Sequence, residues 1–106
     1  MPWFSRLLGG FGIGRELRAV LAVAGPARCE RAVELFRRIV ERRSARQLHR
    51  AFEALELPLV EVLPDCPREL QEELRRTLEA CWDVTRHRGY QKRIMDLRRS
   101  LIPDGA

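Results

Sequence analysis

One run of residues constrains the chain more than any other feature. Cys29, Val33, Phe36, Val40, Ser44, Gln47, Ala51 and Leu55 recur at spacings of three and four, with Leu48 and Phe52 widening the stripe. That periodicity lines up one side of an α-helix. The stripe keeps its phase from end to end, which predicts a single helix over residues 27–57, about 45 Å long at 1.5 Å per residue. A competing reading comes from its middle, where Glu41–Gln47 turns polar. Ser44 followed three residues later by Gln47 is a capping box, the signature of a second helix starting after a break.

The flanking segments divide at their prolines and glycines. Residues 15–24 (RELRAVLAVA) predict a short helix, stopped by Gly25-Pro26. Residues 58–67 (PLVEVLPDCP) carry three prolines and predict an extended connector, with Leu59, Val60, Val62 and Leu63 tucked inward. Asp65 or Cys66 then caps a further helix, with Pro67 in its first turn. Residues 68–102 hold two apolar stripes, Leu70–Leu74–Leu78–Cys81 and Tyr90–Ile94–Leu97–Leu101. Cys81 to Tyr90 spans two and a half turns, so the stripes face opposite ways on one long helix kinked near Gly89.

The expected fold is therefore all-α: a small helical bundle built on a long helical hairpin plus a short N-terminal helix. Residues 15–102 form its single domain, preceded by a Gly/aromatic segment (1–14) and followed by a tail (103–106). Two long helices and a short one make a thin bundle, which pairing completes. Tyr90, Ile94, Leu97 and Leu101 are the expected oligomer interface, in a homodimer or a subunit of a larger complex.

Composition narrows the class. With 45 % hydrophobic and 33 % charged residues, the chain buries enough apolar surface to escape disorder. No stretch reaches the roughly 18 consecutive apolar residues of a membrane span. Trp3, Phe4 and Phe11 in the glycine-rich start read as a flexible lead-in docking on the core. A membrane-surface tip and a mitochondrial presequence are the minority readings. Cys29, Cys66 and Cys81 are odd in number and lack a C-x-x-C pair, so they read as small hydrophobes in a reducing, cytoplasmic compartment. Neither a metal site nor any other cofactor is expected.

Charge offers the one functional lead. Twenty basic residues against fifteen acidic ones leave +5, and nineteen of the twenty are arginine. Codon bias explains such a skew without function; so does selection for a planar fork that grips phosphates. On an unbroken helix, Arg38, Arg42, Arg46 and Arg50 line a basic row roughly 18 Å long. Arg88, Lys92 and Arg99 sit opposite the Tyr90 stripe. Glu34, four residues before Arg38, offers local ion pairing, but Arg42, Arg46 and Arg50 have no acid at that spacing. These seven residues are the candidate nucleic-acid contacts, with RNA backbone the preferred target and an acidic protein surface the alternative.

No catalytic constellation stands out. His49 and His87 are the only histidines, and Cys81 lies on a different side of its helix from His87. Glu69, Glu72, Glu73 and Glu79 sit where a helix start favours negative charge. The expectation is a non-catalytic binding module. Two long amphipathic helices joined by a proline-rich connector, with arginine outside, resemble in layout the silencing suppressors of nodaviruses. The resemblance implies dimers that lay helices along duplex RNA, and it carries no residue roles.

Overall fold

The computed structural model describes residues 13–101 and consists there of five α-helices and one short turn of 3-10 helix. They are α1 (Ile13–Leu21), α2 (Pro26–Arg42), α3 (Ala45–Val62), the 3-10 turn Leu63–Asp65, α4 (Arg68–Val84) and α5 (Arg88–Leu101). The fold is all-α. Residues 1–12, with Trp3, Phe4 and Phe11, and residues 102–106 lie outside the described part.

Neither expected long helix is continuous. The first breaks at Arg43, whose backbone adopts the left-handed conformation (φ 51°) and whose N–H donates back to the Ile39 and Val40 carbonyls. Ser44 then caps α3, its hydroxyl accepting from Gln47 N–H at 3.2 Å. The competing capping-box reading is the one realised. An unbroken helix would turn the Ser44 and Gln47 side chains toward apolar neighbours, where unpaired polar groups cost about 1–3 kcal/mol each. Breaking there spends the serine on a cap instead.

The second long helix breaks at Thr85–His87 rather than kinking at Gly89, which sits in the first turn of α5. The reversal lets α5 fold back on α4, as Arg98 reaching Glu79 at 3.0 Å and Gln91 reaching the Thr85 carbonyl show. Both stripes then enter one core, and no second copy is needed to cover them. Ile94, Leu97 and Leu101 are 1–3 % exposed within the single chain. Tyr90 lies half-buried against α3. The interface expected at these four residues is therefore an intramolecular contact. The nodavirus-like layout, which rested on two long helices, lapses with them.

The proline connector is also shorter than its sequence suggests. α3 runs through Pro58 to Val62. Proline inside a helix costs about 3 kcal/mol or more, but Leu55, Leu59, Val62 and Leu63 are all buried beyond 90 %. Burying each contributes about 1.5–3 kcal/mol, so extending the apolar stripe wins. The turn is then closed by Gln71, whose side-chain amide donates to the Leu63 and Cys66 carbonyls. Pro67 is the residue before α4, not within it.

α3 is the hub and packs against all four other helices. Phe36, Phe52, Leu48, Leu55, Leu74, Leu78 and Ile94 fill the centre around it. At the start, α1 begins at Ile13, earlier than expected, because that residue is buried to 1 % exposure. The three thiols are free and buried, with Cys29 and Cys81 both pushed up to about 12 by burial. They are protonated core groups.

Two substitutions test the break. Ser44→Ala removes the cap and should cost about 1 kcal/mol in urea unfolding. Arg43→Gly relieves the left-handed backbone and should gain up to about 1 kcal/mol. An Arg43→Gly chain less stable than the parent would contradict the geometry.

Candidate nucleic-acid interface

All seven expected contact residues are exposed, but the folded chain separates them into groups. Arg38 and Arg42 converge on one carboxylate from α1: Glu16 Oε1 lies 3.6 Å from Arg38 and 3.3 Å from Arg42. Arg42 also donates to Gln47 Oε1 at 3.1 Å. The break at Arg43 ends the row at this point, so the continuous 18 Å rod of arginine does not exist. The partner of Arg38 is Glu16, not its helical neighbour Glu34.

Arg46 and Arg50, on the far side of the break, have no carboxylate within 4.0 Å among the described residues. The same holds for Arg88, Lys92 and Arg99 on α5. Arg50 lies across the start of α1, with a guanidinium nitrogen 3.2 Å from where a Cβ on Gly14 would stand. Arg99 is three turns beyond Arg88 and belongs to the other end of α5.

Helices α3 and α5 meet where His49, in the second turn of α3, packs on the Thr85–Tyr90 segment that leads into α5. His49 Nε2 lies 2.6 Å from the Thr85 hydroxyl, and the His49 ring stacks on Tyr90 at 3.9 Å with 4° between planes. His87 meets both rings edge-on, at 6.0 Å from His49 and 5.3 Å from Tyr90. The backbone of this corner is tied down locally. Thr85 Oγ1 accepts from His87 N–H at 3.2 Å, and His87 Nδ1 accepts from Gly89 N–H at 3.1 Å.

The corner is positive by subtraction. Glu53 and Glu56 on α3 are both held by Arg93, which contacts each at 2.5 Å. Tyr90 donates a further hydrogen bond to Glu53 at 2.9 Å. The hydrogen bonds from Arg93 and Tyr90 hold Glu53 below the usual carboxylate range. Arg93 in turn sits over the Phe52 and Tyr90 rings. Arg46, Arg50, Arg86, Arg88 and Lys92 are exposed and have no carboxylate within 4.0 Å among the described residues. Neither α3 nor α5 carries an acid in its first turn.

Sequence reasoning missed Arg86, His87, His49 and Thr85 as members of this group. Arg86-His87-Arg88 reads as an ordinary helix terminus, and His49 as a surface residue beside Arg50. Only the fold brings residues 46–53 against 85–93.

The acids at the start of α4 are used structurally. Glu72 and Glu79 pair with Arg75, Glu72 also with Arg76, and Glu73 reaches Arg37 on α2. Among the described residues, no group of three or more His, Cys, Asp or Glu converges as metal ligands, and no helix is long and apolar enough to cross a membrane. No protein-family model, curated protein or solved structure matches this chain.

The corner has a pH signature. Burial lowers His49 from its ordinary value of 6.5, His87 lowers it further, and Glu53 opposes them. Thr85 Oγ1 already accepts one hydrogen bond, so its own hydrogen is available to the Nε2 of a neutral His49. The unfolded chain therefore takes up this proton before the folded chain as pH falls. Stability contributed by neutral His49 is complete above about pH 6.5 and drains away as pH drops toward the lowered value. The melting temperature should fall between pH 7.5 and 5.5, and His49→Gln should flatten part of that fall. An unchanged slope in the variant would remove His49 as the source.

Proposed function

We propose that this chain is a non-catalytic, basic helical module that holds the phosphate backbone of RNA at the α3–α5 corner. The supporting observation is the set of cations with no described carboxylate partner: Arg46 and Arg50 from α3, Arg86, Arg88 and Lys92 from around the start of α5. They come from segments about forty residues apart in sequence that meet at one packed contact, His49–Thr85. Guanidinium forks donate two hydrogen bonds to a phosphate, and neutralising phosphates releases counterions. Backbone contact is favoured over base stacking, because the closest aromatic rings, His49 and Tyr90, lie face to face on each other. Duplex RNA, recognised by its shape and phosphates, suits a rigid cluster of this kind.

A second reading rests on a different patch. Leu57 is 72 % exposed and Val60 43 % on the outer face of α3, and Leu21 is 39 % exposed at the end of α1. Exposed apolar surface of this kind suits a protein partner, in an adaptor, an assembly subunit or a pair of identical chains.

Fluorescence anisotropy with a duplex RNA over a salt series separates the two. Arg46→Gln and Arg50→Gln should each weaken binding and shorten the log–log salt slope by about 1. Arg38→Gln and Arg42→Gln should change the slope less, since both already pair with Glu16. No binding at low salt, or equal losses from both pairs, would defeat the reading and leave the protein partner.

A further inference from the structure

We propose that this chain assembles with copies of itself, the outer face of α3 in one copy seating in the groove between α2 and α4 of the next. The inference rests on the second reading above, that the exposed apolar patch meets a protein, and it names that protein; it does not depend on RNA binding. Arg46, Arg50, Glu53, Leu57 and Val60 recur at spacings of four, three, four and three, so they share one face of α3. All five are exposed, although α3 packs against all four other helices. Glu53 is held by Arg93, which leaves this face with arginine at its start and aliphatic side chains at its end. Arg50 reaches over the start of α1, beside Gly14. Exposed aliphatic side chains in line with guanidinium groups fit a surface that is apolar and acidic together.

This chain carries such a surface in the open groove of about 390 Å³ between α2 and α4. Val33, Leu70 and Pro67 supply its apolar lining, and Glu30, Glu34 and Glu69 its acidic one. Arg37 and Glu73 also line it and pair with each other at 3.4 Å. The other three carboxylates have no cation within 4.0 Å among the described residues, on a chain whose net charge is +5. They do not converge as metal ligands, and the space far exceeds the roughly 30 Å³ share of one water. Arg50 to Leu57 covers about 10 Å along α3, the same rise as Glu30 to Arg37 along α2. An arginine and the aliphatic pair therefore reach one groove together. Groove and stripe share no residue, so the contact is heterologous: a copy that has used its stripe still has its groove open. Such contacts repeat into rings or filaments and do not stop at a two-fold dimer.

The test follows the mass of the native chain by sedimentation from about 10 μM to about 1 mM, the range of weak association, with circular dichroism on every variant to confirm folding. The mass should rise above that of the monomer with concentration, and high salt should weaken the association on the order of tenfold. Leu57→Glu spoils the stripe and keeps the groove; Glu30→Arg/Glu34→Arg does the reverse. Each variant alone should stay monomeric. An equimolar mixture of the two should form dimers and nothing larger, because each pair has one intact stripe and one intact groove. A native chain that is monomeric throughout overturns the inference and leaves the patch to a different protein. Association that Leu57→Glu leaves undiminished overturns both the inference and the patch reading. A groove variant that still associates, or a mixture that stays monomeric, overturns the groove as the seat of the stripe.

Discussion

The reversal at Arg43 and Ser44 sets everything downstream of it. Helix α2 cannot continue through Ser44 without turning a hydroxyl and the Gln47 amide toward apolar neighbours. The chain instead accepts one left-handed residue and uses the serine as a cap. With α3 turned back along α2, its heptad-like stripe, Leu48 through Val62, becomes the axis against which every other helix packs. The run of buried leucines also carries α3 through Pro58. The local penalty of one proline is smaller than the burial gained beyond it.

The same reversal distributes the charge. Arg38 and Arg42 remain on α2 beside α1, where Glu16 pairs with both; Arg46 and Arg50 begin α3 and have no carboxylate within 4.0 Å among the described residues. At the other end of the chain, the break at Thr85–His87 brings the start of α5 against α3. His49 packs on Thr85 and Tyr90, and Arg93 pairs with Glu53 and Glu56. The corner owes its positive potential as much to where the acids are committed as to where the arginines stand.

Much of this was within reach of pattern reading, and the failures have definite causes. Helical class followed from the three-and-four periodicity, and the break at Ser44 was visible as a capping box. The stripe keeps its phase across Ser44, but phase alone says nothing about the polarity of Ser44 and Gln47. The opposed stripes around Gly89 were correctly identified as facing different ways on a straight helix. Taken with a chain reversal three residues earlier, they face the same core, so Ile94, Leu97 and Leu101 need no partner chain. Pro58 was given too much weight because its cost is local and its compensation, at Leu59 and Val62, is tertiary.

By itself the amino-acid order determined that this chain is helical, where serine and glycine interrupt it, and that its surface is crowded with arginine. Those properties depend on spacing and side-chain chemistry within a few turns. Which arginines stay uncompensated, and that His49 and His87 meet, was decided only by the tertiary structure. Ion pairs and ring contacts join Glu16 to Arg42, Glu53 to Arg93 and His49 to His87 across intervals of 26 to 40 residues. No local periodicity reports on contacts at that separation.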